Sequence, residues 1–218
     1  MNELKILPDA FLSNFELSKP YKLTFAVTYW CNYRCLHCNI WKKKPRNELN
    51  VEEINEFSKK YPHFKWFNLT GGEVFLRRDI VEIIKVLRKN SNRTVLFNMI
   101  TNGFNPSYIF RKVREILDVA GDSNIIVGVS LDGHKELHEK IRRVRNSFDN
   151  AIRTFLLLRS LSKDFKNFRT YFGYTISHFN VENFFKTFFD IKKIIKNLSL
   201  DDFHLNIYHV SPHYYLNY

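Results

Sequence analysis

The sequence predicts a protein of the α/β class, in which parallel β-strands alternate with α-helices. Six short runs rich in apolar or β-branched residues recur along the 218-residue chain. Five stretches with helical spacing of apolar residues separate these runs. The runs are almost continuously apolar, which is typical of a parallel sheet covered by helices. Six strands and five intervening helices fit either a doubly wound sheet or an incomplete (β/α) barrel.

Each element rests on a local signal. The predicted strands are Tyr21–Thr28, Lys65–Leu69, Thr94–Thr101, Asn124–Leu131, Phe168–Ile176 and Phe203–Val210. The predicted helices are Val51–Tyr61, Arg78–Lys89, Pro106–Val119, Ser147–Ser162 and Val181–Asn197. Start signals are Asn50, an early proline at Pro106, and Asn180 before a VENFF run. Residues 1–20 are predicted to be an N-terminal extension, residues 21–210 the core domain and residues 211–218 a tail.

Three features of the sequence predict where the protein is located: the amino-terminal segment, the length of the apolar runs and the cysteines. The amino-terminal segment lacks a long apolar stretch with a small-residue cleavage site, and the apolar runs are too short to span a bilayer. Three clustered cysteines cannot all pair internally and point to a reducing compartment. We therefore expect a cytoplasmic protein without a transmembrane segment.

The net charge is +12, from 34 Lys and Arg residues against 22 Asp and Glu residues. Such a balance is compatible with nucleic acid, a membrane surface or an acidic partner protein. It is equally compatible with a general lysine bias, because lysine is abundant along the whole chain. Two denser basic runs, residues 42–46 and residues 142–145, stand out and need to be placed on the fold.

Polar, glycine-bearing or cysteine-bearing turns follow four successive predicted strands. A cysteine stretch follows the first strand, TGGE the second, TNG the third and SLDG the fourth. The carboxyl ends of parallel strands meet at one edge, where α/β folds place their ligand sites. We therefore expect these four segments to form one site.

All three cysteines, Cys31, Cys35 and Cys38, lie within eight positions in the pattern C-x3-C-x2-C. A zinc site usually needs four protein ligands, and no second cysteine pair exists, although a distant histidine remains available. A redox pair or a disulfide would use two of the cysteines and leave the third thiol without a role. Three thiolates suit a [4Fe–4S] cluster that has one iron without a protein ligand. The spacing thus favours a cluster over zinc, a redox pair or a disulfide.

The C-x3-C-x2-C motif followed one βα unit later by Gly-Gly-Glu resembles the radical S-adenosylmethionine (SAM) superfamily, over about residues 21–210. This resemblance implies a partial (β/α)6 TIM-like barrel, with Cys31, Cys35 and Cys38 holding a [4Fe–4S] cluster. It also implies that SAM binds the open iron and is reductively cleaved to a 5′-deoxyadenosyl radical that abstracts a substrate hydrogen.

The resemblance also assigns residues to SAM. The segment that contacts the aminium group of SAM in the superfamily is matched here by Gly71, Gly72 and Glu73. An aminium group donates hydrogen bonds, so backbone carbonyl and carboxylate oxygens are suitable acceptors for it. Taken alone, Thr70-Gly71-Gly72-Glu73 is equally an ordinary turn between a strand and a helix.

The segment Ser130-Leu131-Asp132-Gly133 resembles the ribose-contacting stretch of the SPASM-type branch, which modifies peptides and cofactors. By this match Ser130 and Asp132 would hold the ribose hydroxyls, and Arg142 would pair with the SAM carboxylate. The alternative for Asp132 is a turn that caps a helix. Arg143 and Arg145 are expected to face solvent or a partner.

Three weaker assignments complete the set. Asn102 in the TNG turn is expected to line the same cavity, although Asn-Gly is also a good turn in itself. Ile176 lies where the superfamily backs the adenine, but the final glycine of that segment is absent here. His37 lies where the family's backbone meets the adenine edge. His204, His209 and His213 are not spaced to share one strand face, so no metal site is predicted, and His209 is a candidate for reaching substrate.

The substrate and partners follow only from the resemblance. A peptide, protein or cofactor precursor is expected; RNA or a nucleotide is the alternative, and a non-catalytic iron–sulfur or zinc protein is the alternative from another class. The basic run Lys42-Lys43-Lys44-Pro45-Arg46 is expected to dock an acidic electron donor such as flavodoxin or ferredoxin. Most members of the branch carry a further cysteine-rich domain, and no cysteine follows Cys38, so either one cluster suffices or the chain is a truncated core.

Overall fold

The computed structural model describes residues 6–12, 20–91 and 94–212. Its single sheet has six parallel strands in chain order: β1 Lys22–Thr28, β2 Trp66–Gly71, β3 Leu96–Thr101, β4 Asn124–Ser130, β5 Phe168–Ile176 and β6 Phe203–Ile207. All six predicted strands are present, and no end is shifted by more than three residues. His213 and the rest of the tail lie outside the described residues.

Within the described residues, seven α-helices accompany the strands: α1 Leu7–Leu12, α2 Val51–Lys60, α3 Ile80–Asn90, α4 Pro106–Val119, α5 Lys135–Arg142, α6 Ser147–Asp164 and α7 Phe184–Ile194. The predicted starts at Asn50 and Pro106 are confirmed, and the Asn50 side chain accepts a hydrogen bond from the Glu53 amide in a capping box. None of the helices in the described part of the chain is long and apolar enough to cross a membrane.

The structure differs from the predicted helices at α7 and at α5. The predicted helix from Val181 begins as a 3-10 turn, and α7 itself starts at Phe184. The cause is Asn180, whose side chain accepts from the Ser177 amide and does not cap the helix. Helix α5 was not predicted at all, because its eight residues contain only two aliphatic side chains and therefore a weak apolar pattern.

The two faces of the sheet differ in chemistry. One face of β2 and β3 packs against the helices, and its side chains Phe67, Leu69, Phe97 and Met99 are fully buried. Burying each such side chain contributes on the order of 2 kcal/mol. The alternate positions face a cavity lined from β2 through β6. Because five of the six strands line one cavity, the sheet is curved around it. The architecture is therefore the incomplete barrel.

Part of the predicted N-terminal extension packs on this barrel. Ile6, just before α1, forms a small buried cluster with Val95 and Leu96 at the start of β3. Tyr21 and Trp66 pack against the same cluster. The segment therefore covers the amino-terminal end of the strands, and the cavity opens at the carboxyl-terminal end.

Candidate active site

The cysteine loop follows β1 and faces the cavity. Cys35 is buried, and Cys31 and Cys38 are half-buried. All three thiols line one cavity of about 410 Å³ at the carboxyl ends of the strands. The four turns that the sequence places at this edge do contribute to one site.

Two glycines allow the turn after β2 to touch the backbone of the cysteine loop. The Gly72 amide donates to the Thr28 carbonyl at 2.7 Å, and the Glu73 amide donates to the Trp30 carbonyl at 2.8 Å. A Cβ atom at Gly71 or Gly72 would lie 2.0 Å from a carbonyl oxygen of Thr28 or Trp30, respectively. Gly71 also has φ of +123°, a conformation that side chains disfavour. The two glycines are therefore needed for the turn after β2 to approach the backbone of the cysteine loop this closely.

A second anchor of this loop was not predicted. Arg77 donates to the Val27 carbonyl at 2.9 Å and the Leu49 carbonyl at 2.7 Å. Its guanidinium also lies 2.6 Å from the Asp79 carboxylate and 3.5 Å from that of Glu48. Arg77 therefore ties the end of β1 to the segment that follows the cysteines. These partners are 2 to 50 residues apart in sequence, so no local pattern identifies the set.

Glu73 is a fully buried carboxyl group at the cavity wall. It accepts hydrogen bonds from the Asn102 amide at 2.7 Å, the Thr101 hydroxyl at 2.7 Å and the Phe75 amide at 3.2 Å. Burial nevertheless raises the pKa of Glu73 to about 7, because the three bonds only partly replace lost hydration. A cation placed beside it would restore the carboxylate.

Arg142 enters the site from the last turn of α5. It lines the cavity together with Ser130, the last residue of β4. Its guanidinium lies 2.6 Å from the Asp132 carboxylate and donates to the Cys35 sulfur at 3.7 Å. Arg143 and Arg145, next to it in sequence, are exposed.

The other predicted residues divide into two groups. His37 and Asn102 line the cavity, as do His204 and His209. Asp132 and Ile176 are not among the described residues that line it. Asp132 is fully buried behind Arg142. The role of each residue toward SAM stays a prediction.

The inner wall also carries polar residues that were not singled out. Asn68 on β2 and Asn98 on β3 face the cavity, and the Asn98 amide donates to the Asn68 side-chain oxygen at 2.8 Å. Tyr171 on β5 packs beside His204 on β6, with ring centroids 5.3 Å apart. The signal was present in the strand pattern, because polar residues at alternate positions of a buried strand mark a face turned toward a cavity.

The thiols fit an iron–sulfur cluster better than the alternatives. Burial raises the pKa of Cys31 to about 12 and that of Cys38 to about 11, and it also raises the pKa of Cys35. Thiols held in this state are poor redox nucleophiles, whereas a coordinating metal removes the proton outright. Within the described residues, no three His, Cys, Asp or Glu side chains surround a single metal ion position. Three thiols around one cavity suit separate irons of one cluster.

Fold and site together define the core of a cluster-binding (β/α) barrel enzyme whose cavity opens at the carboxyl ends of its strands. The family model described as "Radical SAM superfamily" matches residues 25–191, and the chain belongs to this superfamily. Its cofactors are accordingly a [4Fe–4S] cluster and SAM.

Relatives and solved structures agree with this placement. The chain is 30% identical over 150 residues to the antilisterial bacteriocin subtilosin biosynthesis protein AlbA of Bacillus subtilis. The matched region covers 66% of this chain and 31% of AlbA. The chain is also 32% identical over 158 residues to a GTP 3′,8-cyclase of Pectobacterium atrosepticum, and this match covers 66% of the chain and 45% of the cyclase.

The fold is similar to that of Streptococcus suis SuiB bound to S-adenosylmethionine. The TM-score is 0.64 at 15% identity, over 100% of this chain and 47% of SuiB. The likeness to AlbA and SuiB supports the resemblance to the SPASM-type branch. The chain spans less than half the length of each of these three proteins.

Proposed function

We propose that this chain is the catalytic core of a radical SAM enzyme that cleaves SAM reductively and uses the resulting radical to abstract hydrogen from a peptide or protein. The observation that carries the proposal is the single cavity shared by the three thiols, Glu73, Ser130 and Arg142. When bound, the cluster and SAM supply the electron transfer and the radical.

The residues of the chain orient SAM and shield it from water. Glu73 offers a carboxylate to the aminium group of SAM, and its donors Thr101 and Asn102 hold that carboxylate in one orientation. Arg142 offers a guanidinium to the SAM carboxylate, and Ser130 offers a hydroxyl to the ribose. Opposite charges placed at the two ends of the amino acid moiety fix its direction over the cysteine loop. Because the groups come from the turn after β2, the end of β4 and the end of α5, the folded barrel holds them before SAM arrives.

The test is anaerobic reconstitution followed by an assay for 5′-deoxyadenosine. We expect about four irons and four sulfides per chain. Dithionite should then drive release of 5′-deoxyadenosine from SAM, and Cys35→Ala should abolish it, because a cluster that lacks one thiolate ligand is not retained. A correctly loaded cluster that never cleaves SAM would instead favour a non-catalytic iron–sulfur protein.

A peptide substrate is supported by the inner wall of the cavity. The bond between the two side chains uses the Asn98 amide nitrogen and the Asn68 oxygen. The Asn68 side-chain N–H groups and the Asn98 side-chain oxygen take no part in it and have no partner among the described residues. A donor beside an acceptor matches the C=O and N–H groups of a peptide unit. AlbA is named for bacteriocin biosynthesis, and SuiB has been solved with its precursor peptide SuiA. The GTP cyclase relative makes a nucleotide the second candidate.

The electron donor is proposed to dock on the basic loop that follows the cysteines. Lys42, Lys44 and Arg46 are exposed there. Arg34, between Cys31 and Cys35, is also exposed and lies 5.5 Å from the Trp41 ring centroid. Lys42 lies 5.4 Å from the same ring centroid, so these two cations lie together beside the cysteines. An acidic donor such as flavodoxin or ferredoxin would be attracted to this loop. Such donors work in a reducing cytoplasm, which is the location we propose.

A further inference from the structure

Asp132 and Arg142 form an ion pair that is almost sealed from solvent. The Arg142 Nη2 atom lies 2.6 Å from the Asp132 Oδ2 atom, and the side chains are 9% and 1% exposed, respectively. Breaking a buried pair by removing one partner leaves an uncompensated charge. The pair therefore fixes where the guanidinium can lie.

Asp132 is held in place from three sides. Its Oδ1 atom accepts from the Thr175 amide at 3.2 Å, and its own amide donates to His138 Nδ1 at 3.1 Å. Its carbonyl accepts from the Asn180 side chain at 2.9 Å. The carboxylate is engaged by β5 and by Arg142 and does not line the cavity. A ribose would have to displace these partners to reach it.

The guanidinium that Asp132 holds is directed at the cluster loop. Arg142 Nη1 donates to the Cys35 sulfur at 3.7 Å, which is within range for a bond to sulfur. One residue earlier, the Ile141 carbonyl accepts from the Leu36 amide at 2.9 Å, so the end of α5 is docked on the loop through the backbone as well. The Arg142 Nε atom is buried and has no partner among the described residues. One N–H group of the guanidinium therefore remains without a partner among the described residues while Arg142 contacts Cys35 and lines the cavity.

We propose that Asp132 is a positioning residue, which holds the guanidinium of Arg142 against the Cys35 sulfur and acts on SAM only through Arg142. The inference rests on the proposed function, because it concerns the same site. It differs from the ribose-binding role that the SLDG motif suggests for Asp132.

The first experiment compares ligands on the reconstituted protein without reductant, so that no turnover occurs. Binding of SAM and of its 2′,3′-dideoxy analogue is measured for the wild type and for Asp132→Asn. We expect the variant to lose about tenfold in affinity for both ligands alike. A loss confined to SAM would show that Asp132 binds the ribose and would overturn the inference.

A double-mutant cycle tests whether Asp132 acts through Arg142. Arg142→Gln should weaken SAM binding, and adding Asp132→Asn to that variant should weaken it no further. Additive losses would overturn the inference. Should Asp132→Asn alone fail to fold, the double variant, which removes both charges, still allows the ribose comparison against Arg142→Gln.

Asp149→Asn is the matched control, because Asp149 pairs with Lys135 of α5 at the same 2.6 Å distance on the exposed surface. It should leave SAM binding unchanged.

The contact with Cys35 has its own readout. The midpoint potential of the cluster, measured without SAM by a redox titration followed by electron paramagnetic resonance, should become more negative in Arg142→Gln. The variant removes a cation and an N–H donor beside a cluster ligand, and both stabilise the reduced state. An unchanged potential would refute the contact. Failure of the wild type to bind SAM would instead refute the proposed function.

Discussion

At the scale of single residues, Glu73 combines a position at the cavity wall with an environment that disfavours its charge. Its carboxyl group is fully buried, and burial holds its pKa at about 7 despite three hydrogen-bond donors. The ordinary value for the group is 4.5. The folded protein therefore binds this proton more tightly than the unfolded chain does. Without a bound cation, ionising Glu73 costs folding free energy.

We predict that Glu73 makes the metal-free protein less stable as pH rises. The contribution of the group is complete below pH 4.5 and is lost as pH rises through about 7. The loss amounts to roughly 3 kcal/mol of unfolding free energy. Urea unfolding at pH 5 and at pH 7.5 captures about 2 kcal/mol of this loss. The variant Glu73→Gln should lack this part of the slope.

The difference between the two proteins is the quantity to compare, because His138 works in the opposite direction. Burial lowers its pKa to about 3, so its contribution is lost as pH falls below 6.5. This background is common to the wild type and Glu73→Gln. Equal slopes in the two proteins would contradict the prediction.

At Gly72, a single methyl group should clash directly with the backbone that leads into the cysteine loop. A Cβ atom there would lie 2.0 Å from the Trp30 carbonyl oxygen. We predict that Gly72→Ala lowers stability by about 2 kcal/mol or more and reduces iron uptake on reconstitution, because the loop must move away. Thermal unfolding and iron analysis measure the two effects.

Gly173 provides the control for this substitution. A Cβ atom at Gly173 would meet only the Tyr171 ring, at 3.9 Å. Gly173→Ala should therefore be close to the wild type in stability. Similar losses in both variants would mean that the close approach at Gly72 is not the cause.

At the scale of elements, the cysteine loop is held by three segments from different parts of the chain. The turn after β2 contacts it through Gly72, Arg77 ties its flanks together, and the end of α5 bonds to Leu36. The loop has little regular structure of its own, with a single 3-10 turn at Ile40–Lys42. Its conformation therefore depends on the completed barrel.

The basic side of this loop leads to a prediction about electron delivery. Reversing three charges, in the variant Lys42→Glu, Lys44→Glu and Arg46→Glu, should slow 5′-deoxyadenosine formation at least tenfold with flavodoxin as donor, because steering is lost. With dithionite, a small reductant that needs no docking, the rate should be unchanged. Equal slowing with both donors would refute docking at this surface.

A matched variant reverses three exposed lysines at the amino-terminal end of the barrel, Lys163, Lys166 and Lys196. It changes net charge by the same amount, but its sites lie just before β5 and β6, away from the cluster loop. It should leave the flavodoxin-dependent rate near that of the wild type.

The long helices were predictable and α5 was not, for one physical reason. Helix α3 presents Ile80, Ile83, Ile84 and Leu87 on one buried face, a pattern that packing against a sheet requires. Helix α5 buries only His138, Ile141 and Arg142, two of which are polar. Its stability comes from buried polar contacts to Asp132 and Cys35, which a hydrophobic pattern cannot reveal.

At the scale of the whole molecule, the cavity is a joint product of five strands and the cysteine loop. The chemistry of SAM is predicted at its mouth, and the amide pair of Asn68 and Asn98 lies on its wall. This separation predicts that binding of substrate and cleavage of SAM can be changed independently.

We predict that Asn98→Ala raises the KM for a peptide substrate about tenfold, because a substrate amide loses its partner. Cleavage of SAM without substrate should proceed at the wild-type rate, since the residue is not among those assigned to SAM. Measuring 5′-deoxyadenosine with and without peptide tests both statements. Asn124→Ala is the control, because Asn124 lies at the opposite end of the neighbouring strand β4 and is not among the described residues lining the cavity. If both variants raise KM alike, the amide pair does not read the substrate.

The sequence by itself determined the alternation of strands and helices, the cysteine spacing and the convergence of four turns at one edge. These features are local or periodic, so each is written in neighbouring residues such as Cys31 to Cys38 or Gly71 to Glu73. The tertiary structure decided the partner of Asp132, the anchoring of the loop by Arg77 and the amide pair on the inner wall. The partners of these groups are 10 to 50 residues away in sequence. Only the closing of the barrel brings such groups within bonding distance, and burial then makes each pairing specific.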